Sequence, residues 1–167
     1  QDVIHNENPK IAKDEILYTL IERCYQGLVV AQFQDNDIAK IGNYLLLQEI
    51  INKMEAKIDG DTPKMKFHLY LAHDSTLSSI LISIGMLSPY CFLDTLHTGN
   101  PGLCPNFPEV ASSLIFELIE DDHINYVRIL YNFEAIDLCK LENPEEKYRC
   151  SFKRFSNILK KFGNPDK

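Results

Sequence analysis

His73 and Asp74 stand side by side where the character of the chain changes abruptly, and between them they could do two kinds of chemistry. An imidazole can hydrogen-bond or, once protonated, pair with phosphate or carboxylate, and a neighbouring carboxyl group with a raised pKa can hand a proton to a departing alcohol. Asp74 could equally be a helix cap and nothing more, a role that stabilises a helix by about 1 kcal/mol. Ser75, Ser78 and Ser79 follow closely enough to suggest a hydrolase nucleophile. No G-x-S-x-G turn surrounds them, however, and their spacing fits the polar side of a helix. His68 lies five residues before His73, which on one strand sets the two rings on opposite faces, so they make no metal pair. His68 is expected to face outward or toward a partner, His97 (with Asp94) to be a solvated loop residue, and His123 to balance charge in an acidic turn.

The flanking segments must position this dipeptide. Phe67 to Leu71 is short, aromatic and apolar, which predicts a buried strand that stops where small polar residues follow His73-Asp74. Asp74, Ser75 and Thr76 are helix-start residues, and Leu77, Ile80, Leu81 and Ile84 recur on one helical face until Gly85 ends it. In open α/β sheets ligands bind at the carboxyl end of a strand, here beside backbone N–H groups whose freedom would favour an anion. Further upstream, Asn8-Pro9 starts a helix whose apolar face runs through Ile11, Leu17, Leu20, Ile21, Cys24 and Leu28. Gln34 to Asp37 breaks it, and a second helix from Ile38 to about Lys57 carries Ile41, Leu45, Ile51, Met54 and Ile58 at helical spacing. Asp59-Gly60-Asp61-Thr62-Pro63 is a turn that leads to the predicted strand.

Downstream, Met86 to Pro108 holds six glycines and prolines, which predicts a long surface loop, functional or mobile, that a Cys91–Cys104 bridge would restrain. Ser113 to Ile119 and Tyr126 to Tyr131 read as a hairpin around Glu120-Asp121-Asp122. A charged loop from Leu138 to Cys150 precedes a terminal helix with Phe152, Phe155, Ile158, Leu159 and Phe162 on its apolar side. The fold class predicted is α/β, with residues 1–60 a helical segment and 61–167 the remainder of an α/β domain, the strand at 67–71 and the hairpin sharing one sheet.

The 167 residues can bury a core of ordinary size. A net charge of −7 and the lack of a basic stripe argue against nucleic acid as a partner. No apolar run is long enough to span a bilayer. The five cysteines show no zinc-binding spacing, and their odd number leaves one thiol free or paired outside this chain.

The run Leu69-Tyr70-Leu71-Ala72-His73-Asp74-Ser75-Thr76-Leu77 resembles the second signature of the histidine acid phosphatases, a branch of the histidine phosphatase superfamily. The resemblance spans about residues 38 to 160: Gly42, Leu46, Ile50 and Met54 match the preceding helix, Val110–Leu118 and Tyr126–Asn132 the last two strands, and Cys139–Leu159 the cysteine-bounded tail. It implies part of a phosphoglycerate-mutase-like sheet flanked by helices. It also implies hydrolysis of phosphate monoesters through a phosphohistidine intermediate, with His73 binding the phosphoryl oxygens, Asp74 as proton donor, and Ser75 and Thr76 on the pocket rim. No metal or cofactor is implied, since histidines and arginines carry the positive charge. The family's Arg-His-Gly-x-Arg-x-Pro motif, which holds its nucleophile, does not occur here, and the four arginines, Arg23, Arg128, Arg149 and Arg154, do not adjoin a histidine. With Gln1-Asp2 at the start and neither initiator Met nor targeting signal, the expectation is the C-terminal part of a longer polypeptide, inactive alone, whose missing N-terminal segment is its first partner. The resemblance further implies a Cys139–Cys150 bridge, a secreted or lysosomal/vacuolar location, and a fold compatible with a homodimer. The alternative expectation is a non-catalytic binding module or inactive fragment. Substrate identity is not written in this stretch.

Overall fold

The computed structural model describes residues 15–32, 36–98, 107–139 and 148–161. They form an α/β arrangement: helices α1 (Glu15–Ala31), α2 (Asn36–Ile58), α3 (Asp74–Ser83) and α4 (Pro89–Thr98), strands β1 (Leu114–Asp121), β2 (Ile124–Tyr131), β3 (Glu134–Ile136) and β4 (Cys150–Ser151), then helix α5 (Phe152–Lys161). All strand pairs are antiparallel: β1 runs along one side of β2, while β3 and β4 share its other side.

The predicted hairpin is present, its first strand running two residues further, to Asp121, and its second beginning two residues earlier, at Ile124. Its loop is only Asp122 and His123, both with positive φ (46° and 63°), the conformation that two-residue hairpin loops need to match strand twist. Register then follows from alternation. Phe116 faces Ile129 and Leu118 faces Val127 on the buried side, and between them Glu117 lies opposite Arg128 on the solvent side at 2.6 Å. Asn132 and Phe133, also at positive φ, turn the chain again into β3, a short strand that the sequence pattern did not reveal.

Helix α5 closes the buried side of this sheet. Phe155 and Leu159, one turn apart, are fully buried, and the Phe155 ring lies 6.0 Å from that of Phe116. Its opposite side is polar, as the spacing predicts, and Lys160 reaches Glu55 on α2 at 3.4 Å. The bridge expected between Cys139 and Cys150 is formed, with Cα atoms 5.6 Å apart, and it ties the end of the β3 segment to β4. Cys24 is free and exposed. Cys91 is disulfide-bonded. Cys104, the partner expected for it, lies outside the described residues, as do Phe162, Ile11 and the Asn8-Pro9 helix start.

Four expectations are corrected. The stretch 67–71 is not a buried strand of the sheet: it belongs to no ladder, and Phe67, Leu69 and Leu71 are 77, 64 and 91 % exposed. A strand needs a hydrogen-bonding neighbour, and none of the described residues pairs with it. The segment after Gly85 is not wholly irregular, since α4 occupies Pro89–Thr98. Its breakers are uneven: Pro89 suits the first helical position, Ser88 Oγ accepts the Cys91 N–H at 3.2 Å as a cap, and no further Gly or Pro follows until Gly99. Finally, the buried stripe of α2 runs through Ala39, Asn43, Leu47, Ile51 and Met54, while Ile41 and Leu45 are exposed. That helix is apolar on more than one side, so spacing alone did not choose the inward one. The predicted apolar face of α1 is likewise solvent-facing at Leu17, Leu20, Ile21 and Leu28, and Gln26 and Val30 are buried instead.

Candidate active site

His73 is the residue just before α3, with extended backbone (φ −92°, ψ 165°), and Asp74 is the first residue of the helix. Both are exposed, as is Ser75, while Thr76 is half-buried. The helix is anchored onto His73 by its backbone, because the His73 carbonyl accepts the N–H groups of Thr76 (3.1 Å) and Leu77 (3.2 Å). The His73 side chain makes no cap hydrogen bond. Asp74 is therefore not the helix cap, although Asp74 Oδ1 accepts the N–H of Ser75 at 2.6 Å. A carboxylate in the first turn also suits the positive end of the helix dipole. These bonds occupy the donors of Ser75 and Thr76. The helix start thus offers an incoming anion fewer free N–H groups than the sequence suggests.

At its other end α3 stops at Gly85, whose φ of 76° is open to glycine at no steric cost. The Gly85 N–H bonds the Ile82 carbonyl (2.9 Å) and the Met86 N–H reaches back to that of Leu81 (2.8 Å), the paired bonds of a Schellman stop. Between its ends the helix is buried on nearly all sides from Ser78 to Ser83. Ser78 and Ser79 are therefore not on an exposed polar side. Their hydroxyls are accommodated inside: Ser78 Oγ donates to the Asp74 carbonyl at 2.9 Å, and Ser83 Oγ to that of Ser79 at 2.8 Å. Asn43 of α2 faces them, its Nδ2 lying 2.6 Å from Ser79 Oγ, 2.9 Å from Ser83 Oγ and 2.8 Å from the Ala39 carbonyl.

On the approach to the dipeptide, the Tyr70 hydroxyl donates to Glu49 Oε1 of α2 at 3.0 Å. Lys53 holds the same oxygen at 3.2 Å, one helical turn on. Desolvation, followed by the hydrogen bond to Glu49 and its negative charge, pushes the Tyr70 phenol up to about 12. Glu49 is held below the ordinary carboxylate value by hydrogen bonds from Lys53 first and Tyr70 second. The His68 ring lies 4.5 Å from that of Tyr70.

The sequence reading gave no role to Asn43 and Glu49, whose contacts fall on α3 and on Tyr70, after and before the dipeptide. Asn43 falls in register with the buried stripe of α2, which is the one signal that could have found it. His97 and Asp94 are exposed on α4, and His123 is exposed at the hairpin turn, 3.8 Å from Glu120. Arg128 and Arg149 are engaged on the sheet by Glu117 and Asp121, and Arg23 by Gln26 within α1. Among the described residues no group of His, Cys, Asp and Glu is arranged to hold a metal ion. No helix among them is long and apolar enough to cross a membrane.

With this geometry in place, comparison with known proteins identifies the class. The sequence model of the histidine phosphatase superfamily (branch 2) matches residues 2–132, and the chain belongs to that family. The match takes in α1 and ends at the second turn of the sheet. Among curated proteins the chain is similar to 2-phosphoxylose phosphatase 1 of Xenopus tropicalis, 30 % identical over 131 residues that cover 74 % of this chain and 23 % of that protein. It is similar to the Mus musculus protein of the same name, 34 % identical over 95 residues (55 % and 16 %). A probable acid phosphatase of Dictyostelium discoideum is 25 % identical over 162 residues, 90 % of this chain and 33 % of that one. The chain thus spans a third or less of the length of these relatives.

Proposed function

We propose that this chain contributes the His-Asp half of a phosphate-monoester hydrolase site, in a polypeptide whose Arg-His-Gly segment supplies the nucleophile and the phosphate-binding arginines. The observation that carries this is the His73-Asp74 dipeptide itself, solvent-exposed at the start of a buried helix, within the stretch matched to the family. In this reading His73 donates to the phosphoryl oxygens, and Asp74 protonates the leaving alcohol as the phosphohistidine forms and then takes a proton from the attacking water. Ser75 and Thr76 form the rim. The Cys139–Cys150 bridge supports an oxidising location, secreted or lysosomal/vacuolar. Phosphate esters are the substrates, as the names of the related phosphatases suggest.

The chain alone is not expected to turn over substrate, because covalent phosphoryl transfer requires a nucleophile in line with phosphorus and cations on its oxygens. An inactive fragment or non-catalytic module is the second reading. It is favoured by one observation, that the Ser75 and Thr76 donors are already occupied and leave the helix start less able to hold an anion.

The test compares leaving groups in the polypeptide that carries both halves. Asp74→Asn should slow hydrolysis of alkyl phosphates by about 10²–10⁴-fold and that of nitrophenyl phosphate far less, because a good leaving group needs little protonation. Equal slowing of both would remove Asp74 as the acid. Turnover by residues 1–167 alone, lost on His73→Ala, would show that the nucleophile lies within this chain.

A further inference from the structure

We propose that Asn43 and Glu49 of α2 are positioning residues for the His73-Asp74 dipeptide, one holding the helix that follows it and the other the extended segment that precedes it. This rests on the assignment of His73 and Asp74 to the site.

The two residues are six positions apart, about 9 Å along the helix axis. Asn43 works from the buried face of α2. Its amide reaches two hydroxyls on successive turns of α3, Ser79 at 2.6 Å and Ser83 at 2.9 Å, and is itself tied to the Ala39 carbonyl of its own helix. One contact would let α3 pivot; two contacts on one rigid rod set its tilt as well as its height. Ser79 is five residues beyond Asp74, so the grip lies about 7.5 Å from the functional end. Three oxygens share two amide hydrogens in a place where Asn43, Ser79 and Ser83 are all buried. An apolar contact would have filled that space without fixing a rotation. Buried polar groups that are satisfied in this way specify one arrangement, because sliding α3 leaves donors and acceptors unpaired.

Glu49 works from the exposed face. It accepts the Tyr70 hydroxyl, three residues ahead of His73, and is itself steadied by Lys53. The segment 67–71 has no ladder among the described residues, so this bond to α2 ties it down at Tyr70, whose ring lies 4.5 Å from that of His68 within the same segment. A single helix thereby grips the chain on both sides of the dipeptide.

Amide hydrogen exchange on the isotope-labelled chain, read at Thr76 and Leu77, tests the proposal, since both donate to the His73 carbonyl and report whether the α3 start is held. Glu49→Ala and Tyr70→Phe should each speed exchange at these two amides about threefold to tenfold, with no change at Val127 in β2. Glu49→Gln, which keeps an acceptor oxygen for the phenol, should stay within about twofold of the wild type. Asn43→Leu and the double variant Ser79→Ala/Ser83→Ala should speed it about tenfold or more. Wild-type exchange at Thr76 and Leu77 in these variants, with β2 still protected, overturns the proposal. If the Asn43 and serine variants do not fold, the surface variants at Glu49 and Tyr70 decide it by the same readout. A phosphate titration of His73→Ala tests the underlying site separately: unchanged phosphate-induced shifts there would remove His73 from the site and leave the exchange result standing.

Discussion

At the scale of single residues, the least ordinary side chain near the dipeptide is Tyr70. Its phenol is raised to about 12 by desolvation and by the Glu49 carboxylate that accepts its proton. The folded state therefore favours neutral tyrosine. The stability this contributes is complete below the unfolded phenol value of about 10 and is lost as pH rises through about 12. Glu49 has the opposite sign: its pKa is depressed by Lys53 and Tyr70, so its contribution is complete above the ordinary value of 4.5 and is lost as pH falls through the lower folded value. A spectrophotometric titration should show a late phenol phase that loses one tyrosine in Tyr70→Phe and moves partway toward 10 in Glu49→Ala, where desolvation remains; Tyr131, also raised by desolvation, stays late in both. Should Glu49→Ala leave the late phase unmoved, the hydrogen bond is not what holds Tyr70. Asp74 illustrates a different lesson. Its sequence allowed a cap or an acid, and the structure removes the cap: the capping position belongs to His73, and Asp74 is one residue inside the helix with its second oxygen not engaged by the Ser75 bond.

At the scale of elements, α3 has an unremarkable sequence but two well-defined ends, and only one of them depends on side-chain chemistry near the site. Gly85 makes the other. An added Cβ there would meet nothing within 4 Å, so its requirement is conformational, through φ of 76°, rather than steric crowding. Gly85→Ala should cost about 1–2 kcal/mol, the penalty of placing a Cβ in the left-handed region, measured as a shift of the urea midpoint at constant slope. A neutral substitution would mean that the Schellman bonds do not hold the helix end. The legible and illegible parts of the fold divide along the same physical line. The hairpin and α5 were readable because alternation or helical spacing coincided with a single buried face, and α3 because polar start residues and a glycine stop mark its two ends. Phe67–Leu71 reads as a strand by every local measure, yet a strand is a relation between two chains segments, and sequence spacing reports only one of them. The inward side of α2 was misjudged because Asn43 occupies the stripe that Leu45 was expected to share. A polar residue satisfied by Ser79 and Ser83 leaves no hydrophobic signal. For the same reason the dipeptide was legible and its supports were not: His73-Asp74 is contiguous, whereas Asn43 and Glu49 are linked to the segments around it only through tertiary contacts with Ser79, Ser83 and Tyr70.

At the scale of the whole molecule, the core and the surface carry different obligations. Around the sheet the chain is closed: α5 covers one face, and the Cys139–Cys150 bridge joins segments eleven residues apart beside Val127 and Ile136. Opening it in Cys139→Ser/Cys150→Ser should lower stability by about 2–4 kcal/mol, read from denaturant unfolding, and a loss well under 1 kcal/mol would show that the loop it closes is held by other contacts. Elsewhere large apolar side chains are left exposed. Leu17, Leu20 and Leu28 on α1, Leu45 on α2, and Phe67, Leu69 and Leu71 in the extended segment all face solvent. Scattered apolar residues on a surface mean little, but an extended segment with an apolar alternate face and unpaired backbone offers an edge to which another strand can add. The expected behaviour of residues 1–167 alone is therefore self-association that depends on this edge more than on the folded core. Leu71 is 91 % exposed, so Leu71→Lys should change unfolding stability by no more than about 0.5 kcal/mol. The same charge placed on the edge should oppose strand addition. Sedimentation across a concentration series should then show the wild-type chain associating and the Leu71→Lys chain shifted toward monomer, with Leu45→Lys on the face of α2 as the control. If Leu45→Lys disperses the chain and Leu71→Lys does not, association runs through the helices, and the segment leading to His73 is not the exposed edge that governs it.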